Sequence, residues 1–201
     1  YSGKPSVFPV ARLEAADAMK MIREHAAEWH VDPEAIAVIG FSAGGHLAAN
    51  LATSASDDVL AAHGYDPDAV RPNGLMLAYP VITSGPLAHR GSFDSLLGER
   101  RNDTETLESV SIEHHIDTKT PPVFVWHTVP DEVVPYENTL MLIDACKKAG
   151  VSVEAHLFPQ GGHGLSLGIA ETAWQGIDGI EPSMQIWTQL AVAWMRRTFA
   201  R

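Results

Sequence analysis

The 201 residues carry 45% apolar and 19% charged side chains, the balance of a globular chain long enough for one domain with a sizeable core. A formal net charge of -11 argues against a nucleic-acid partner, which needs a basic face to displace counterions, and suits small neutral substrates. No apolar run approaches the roughly 18 to 20 residues of a membrane span, and no charged-then-apolar leader opens the chain, so no membrane partner is expected and the compartment stays open.

The opening "YSGKPSVFP" reads as the tail of a strand and a loop, and implies strands ahead of it. Val10, Leu13, Ala16, Met21, Ile22, Ala26 and Trp29 then recur at roughly helical spacing, which predicts an amphipathic helix over 10–30. Asp32-Pro33 marks a turn before "AIAVIG" (35–40), a short apolar run of the buried parallel-strand kind. Helix "AGGHLAANLATSA" (43–55) follows, and then strand "GLMLAYP" (74–80).

Residues 84–118 mix Gly, Pro, Ser and charges around two short helical stretches, "SFDSLLGER" and "TETLESVS", and read as a lid or cap. Strand "PPVFVWH" (121–127) keeps its prolines at the start, where no ladder donor is lost. Helix "YENTLMLIDACKKAG" stops at Gly150 and carries the only cysteine, Cys146, on its apolar stripe as a buried structural thiol. Strand "VSVEAHLFP" and the apolar-striped helix "SMQIWTQLAVAWMRRTF" complete the alternation. The expectation is a single α/β domain over 1–201, a mostly parallel sheet with helices on both faces and binding residues at the carboxyl ends of its strands.

Gly40-Phe41-Ser42-Ala43-Gly44 is G-x-S-x-G at a strand-to-helix junction, the context in which a serine is lifted above a sheet on a sharp, strained turn. Side chains at Gly40 and Gly44 are expected to collide with the helix and the neighbouring strand, and the amide of Ala43 to face a developing oxyanion. The competing reading is a glycine-rich turn whose serine caps the helix. A serine nucleophile needs a histidine base and a carboxylate behind it, in the chain order Ser, acid, His. Asp131 follows one strand in "VFVWHTVPDEVVP" and His163 follows the next in "HLFPQGGHGLSL", so all three fall on one edge of the sheet.

Glu132 is the rival acid. Asp131 is preferred because Val133 and Val134 then take packing positions and the shorter side chain suits a fixed imidazole. His127 and His156 sit in strands as core or wall residues, and His46 lies on the elbow helix, where it lines a pocket or packs. His114-His115 near Asp117 has no metal-ligand spacing, so neither a metal nor any other cofactor is expected. Trp126, Trp187 and Trp194 read as core, Trp174 as a pocket wall, and Phe41 as a second pocket residue.

Three stretches, "FPVARLEAADAMKMIREHAAEW", "DPEAIAVIGFSAGGHLAANLA" and "PPVFVWHTVPDEVVPYENTLMLIDACKKAGVSVEAHLFPQGGHGLSLG", resemble small α/β-hydrolase esterases of the acetyl esterase/lipase, acetylxylan-esterase-like kind. The resemblance places the nucleophile on Ser42, the acid on Asp131, the base on His163 and one oxyanion donor on the amide of Ala43. It implies hydrolysis of short acyl esters, acetyl groups on carbohydrate among them. A peptidase of the prolyl-oligopeptidase kind shares the elbow, and a hydrolase-fold binding module that has lost its chemistry is the third alternative. Family members also carry strands and a His-Gly-Gly or Pro-Gly-Gly loop before the elbow, and none precedes "YSGKPSVFP"; by resemblance half the oxyanion hole is then missing, and the elbow strand is an open edge. Residues 1–9, a second copy of the chain or upstream sequence are expected to cover that edge.

Overall fold

A computed structural model describes residues 8–173 and 179–200. Its core is a four-stranded parallel sheet in the order β1 (Ala37–Phe41), β2 (Gly74–Ala78), β3 (Val123–Thr128), β4 (Val153–Phe158). Every adjacent pair is parallel and in sequence order, so each crossover carries helix. The helices are α1 (Val10–Glu24), α2 (Ala43–Ala52), α3 (Asp57–Ala62), α4 (Pro67–Val70), α5 (Arg90–Leu97), α6 (Thr104–Ser109), α7 (Glu137–Ala149) and α8 (Trp187–Thr198). None of the described helices is long and apolar enough to cross a membrane.

The two-residue period of the strands builds two cores. Leu75, Leu77, Val123 and Val125 face Ala48, Ala49 and Ala52 of α2 and Leu142 and Cys146 of α7. The alternate residues, Met76, Ala78, Phe124 and Trp126, face Trp187, Ala191 and Trp194 of α8. Both faces are thus covered, which explains why β2 and β3 read as continuous apolar runs. Small alanines let α2 lie close to the sheet, while the opposite layer is filled by aromatic rings, with Trp126 and Trp187 stacked 5.4 Å apart. Burial pushes the Cys146 thiol up to about 11, as suits an inert packing group.

Several boundaries differ from the sequence reading. α1 ends at Glu24, His25 serves as its C-cap, and residues 25–30 form turns. Its buried face is Arg12, Ala16 and Met19, whereas Val10, Met21 and Trp29 are exposed. The cause is Arg12, whose guanidinium donates to the carbonyl of Ala55 at 2.8 Å and to Oδ1 of Asn50; with those partners on α2 and just beyond it, the polar residue turns inward. α3 and α4, short and rich in Asp, lie between α2 and β2 where no helix was expected. Within 84–118, α5, α6 and flanking 3-10 turns bury Phe93, Leu97 and Val110 against Val81 and Val134.

Among the described residues β1 pairs only with β2, and Ile39 is 45% exposed. Residues 1–7, offered above as a cover for that edge, lie outside the described residues.

Candidate active site

β1 ends at Phe41 and α2 begins at Ala43, leaving Ser42 as the whole turn. Its backbone sits at φ 52, ψ -121, a left-handed region that is strained for any residue with a Cβ, by roughly 1–3 kcal/mol. Main-chain bonds hold it there. The Ser42 amide donates to the carbonyl of Ala78 at 3.0 Å, and the Ser42 carbonyl accepts from Gly45 at 2.9 Å and Val81 at 3.2 Å. No side-chain capping bond forms. The hydroxyl is directed elsewhere, with Oγ 2.8 Å from Nε2 of His163, so the helix-capping reading of Ser42 does not describe it.

The glycines divide unevenly. A Cβ at Gly40 would overlap the carbonyl oxygen of Gly44 and lie 2.7 Å from the Cα of Gly45. At Gly45 it would meet Cβ of Pro80 at 2.9 Å. At Gly44, expected to be tight, nothing described lies within 4 Å. The close approach is therefore made by Gly40 and Gly45, because the helix turns its 45 position, not its 44 position, toward the loop after β2.

His163 and Asp131 follow the carboxyl ends of β4 and β3. Their loops are tied together by the Val129 amide on the Phe158 carbonyl at 2.8 Å and by Thr128 Oγ1 on the Gly162 carbonyl at 3.1 Å. His163 Nδ1 lies 2.7 Å from Asp131 Oδ2. As Asp131 Oδ2 can only accept while ionised, Nδ1 carries the proton and Nε2 presents its lone pair to Ser42.

The Asp131 side chain is fully buried. Burial by itself raises a carboxyl's pKa, but hydrogen bonds from His127, His163 and the Val134 amide outweigh it and hold Asp131 far below the usual carboxylate range. Its Oδ1 accepts from the amides of Val133 and Val134, both at 2.9 Å. Glu132, the rival acid, is exposed. Val134 packs as expected, while Val133 is 48% exposed and contributes its amide instead.

Two residues escaped the sequence reading. Tyr79, taken as part of a strand, follows β2 at φ 39 and sets its ring edge-on to His163, centroids 4.9 Å apart; its hydroxyl accepts from the Ser166 amide at 3.1 Å. Burial pushes its phenol up, so it stays protonated. His127, read as a core or wall residue, is fully buried but also reaches Asp131 Oδ2, 3.2 Å from Nε2. A polar residue at a strand's carboxyl end, four before the acid, was the available signal.

Of the other expected pocket residues, His46 is buried beside a mainly apolar cavity of about 290 Å³ that adjoins Ala43 and is walled by Leu47, Val81, Phe93 and Leu96. Burial depresses the His46 imidazole to about 4, against a raising hydrogen bond to Val110 and helped by the charge of Arg12. Phe41 packs the other way, toward Tyr79 and Trp187. Trp174 lies outside the described residues. His114, weighed above for a metal, has its Nδ1 2.7 Å from Glu108.

Comparison with known proteins fits this geometry. The BD-FAE family model matches residues 2–145. The chain is similar to an endo-1,4-β-xylanase B of Butyrivibrio fibrisolvens, 35% identical over 161 residues, or 79% of this chain and 25% of that protein. It is also similar to an acetylxylan esterase of Xylanibacter ruminicola, 29% identical over 165 residues, 80% of this chain and 32% of the relative. The chain thus spans about a quarter and a third of these two relatives. Among solved structures, an acetyl ester-xyloside bifunctional hydrolase from Caldicellulosiruptor lactoaceticus superposes with a TM-score of 0.79 at 36% identity, covering 96% of this chain and 68% of that one.

Proposed function

The chain belongs to the BD-FAE family and has the α/β-hydrolase fold, and from that membership and the geometry around Ser42 we propose that it is a serine carboxylesterase acting on short acyl esters. The observation that carries the reading is the relay of 2.8 Å from Ser42 Oγ to His163 Nε2 and 2.7 Å from His163 Nδ1 to Asp131 Oδ2, built on a serine held at positive φ.

The chemistry follows from those contacts. His163 Nε2 takes the Ser42 proton as Oγ bonds to the ester carbonyl carbon, and Asp131 stabilises the imidazolium that forms. The carbonyl oxygen becomes an oxyanion. Ala43, first residue of α2, has an amide with no partner one turn back, and this donor together with the positive end of the helix faces that charge. His163 then returns the proton to the alkoxide leaving group, which departs and leaves an acyl ester on Ser42. Water activated by the same imidazole attacks the acyl carbon, and collapse of the second oxyanion restores the serine and releases the acid.

For the substrate, the similarity to an acetylxylan esterase and an acetyl ester-xyloside bifunctional hydrolase supports acetyl groups on carbohydrate. The net charge of -11 favours a neutral ester over an anionic one. The test is a panel of nitrophenyl esters of increasing acyl length, acetylated xylo-oligosaccharides and an acylated peptide, each with Ser42→Ala as control. Serine-dependent release from the short esters supports the reading. Cleavage of the peptide alone would favour the peptidase, and no turnover with any substrate the binding module.

A further inference from the structure

Asp131 Oδ2 is shared by two imidazoles. His163 Nδ1 approaches it at 2.7 Å and His127 Nε2 at 3.2 Å, while Oδ1 is taken by two peptide amides. His127 projects from β3 and is fully buried. Its Nε2 also faces the carbonyl of Val134 at 2.9 Å. Both neighbours of that nitrogen are oxygens that only accept, so Nε2 must carry a proton, divided between them. The ring is fixed from its other side by Thr139 of α7, whose Oγ1 lies 2.8 Å from Nδ1 and can donate or accept.

We propose that His127 is a positioning residue for the triad: its Nε2 proton holds Oδ2 of Asp131 and draws charge from it, and so sets how strongly the carboxylate favours the His163 imidazolium. The proposal rests on the reading of Ser42, His163 and Asp131 as the working triad. A donor on a carboxylate oxygen lowers that oxygen's negative charge, which weakens its pull on a second donor at the same atom. Remove His127's proton and the carboxylate, still anchored through Oδ1, becomes the better acceptor for His163. The base then holds its proton to higher pH. Among the described residues the other ionisable group beside the pair is Tyr79, whose ring contacts His163 and whose buried phenol stays neutral. A role confined to packing, with the proton serving Val134 alone, would leave the base untouched.

The two accounts separate in the full chain with His127→Leu, which keeps volume without the donor, and His127→Gln, whose side-chain amide can restore an N–H near Nε2. For His127→Leu we expect kcat on an acetyl ester to fall about 10-fold with KM within about twofold. The ascending limb of kcat/KM should move to higher pH by about half a unit or more, and His127→Gln should recover most of both changes. A limb that stays in place, or moves to lower pH, would overturn the proposal. Should the leucine variant fail to fold, ¹⁵N-histidine NMR of the unmodified protein decides: His127 Nε2 is expected to be protonated and its resonance to shift as His163 titrates. An unprotonated Nε2, or no response, overturns the proposal. Ester hydrolysis that is absent, or that survives Ser42→Ala, would instead defeat the triad reading and leave the NMR result standing.

Discussion

Two polar clusters lie on either side of the start of α2, and they are built to opposite ends. On one side Ser42 sits in strained backbone, its hydroxyl facing His163, whose side chain is 16% exposed. On the other, His46, Asn50 and Arg12 are all buried. There His46 Nε2 donates to the Val110 carbonyl at 2.7 Å, Asn50 Nδ2 lies 3.0 Å from His46 Nδ1, and Arg12 reaches Asn50 and Ala55. The second cluster is held by hydrogen bonds among its own side chains and to the carbonyls of Val110 and Ala55, as buried polar groups require. The first keeps a lone pair aimed at a hydroxyl and holds its geometry with main-chain bonds. One histidine faces a hydroxyl at the mouth of the site, and the other is buried where burial disfavours its protonated form.

The largest effect that would break this contrast is on turnover. Ser42→Ala is expected to lower kcat about 10⁴- to 10⁶-fold, or about 5–8 kcal/mol of barrier, with the thermal midpoint nearly unchanged, since the serine makes no capping bond. Steady-state kinetics beside a melting curve checks both; appreciable residual activity would mean that another group attacks. Asp131→Asn is expected next, at roughly 10⁴-fold, because an amide cannot hold His163 in the Nδ1–H form as a carboxylate does.

The buried cluster should respond in stability, not rate. The His46 imidazole falls from an ordinary 6.5 to about 4 on folding, so between those values the unfolded chain binds a proton that the folded chain does not. Stability is therefore complete above about pH 6.5, declines as pH falls toward 4, and is lost by on the order of 3 kcal/mol below that. Urea unfolding at pH 7 and pH 4.5 should show the loss in the parent protein and a smaller one in His46→Gln. Equal losses in both would remove His46 from the account.

The smallest effect separates two adjacent glycines. Gly45→Ala meets Pro80 at 2.9 Å and is expected to destabilise by about 1–3 kcal/mol, while Gly44→Ala, with nothing described within 4 Å, should stay within about 0.5 kcal/mol. Matched melts of the two variants would test this, and a Gly44→Ala loss as large as that of Gly45→Ala would return the steric role to the pentapeptide glycine.

The alternation of apolar runs with amphipathic stretches was enough to place four parallel strands between helices. β2 and β3, buried along their whole length, leave short apolar runs whose length and flanking turn residues separate them from helices. The meeting of Ser42, Asp131 and His163 was also readable, since a glycine-flanked serine after a strand, and an acid and a histidine after the next strands, are set by chain order and strand ends. Periodicity reports only the angle of a side chain around its own helix. It therefore chose Val10, Met21 and Trp29 for the buried face of α1 and missed Arg12 and Met19, because Arg12 is admitted to the interior by acceptors some 40 residues away. α3 and α4 were missed because so few residues, rich in Asp, show no stripe.

What the sequence determined by itself was the order of elements and the three residues that chain order brings to one sheet edge. What only the tertiary structure decided was which groups share an atom. Tyr79 against His163, His163 joining His127 on one oxygen of Asp131, and Gly45 in place of Gly44 beneath Pro80 each depend on a distance of a few ångströms between segments far apart in the chain. Hydrogen bonding and steric exclusion fall off over that same distance, so such contacts leave little mark on local sequence.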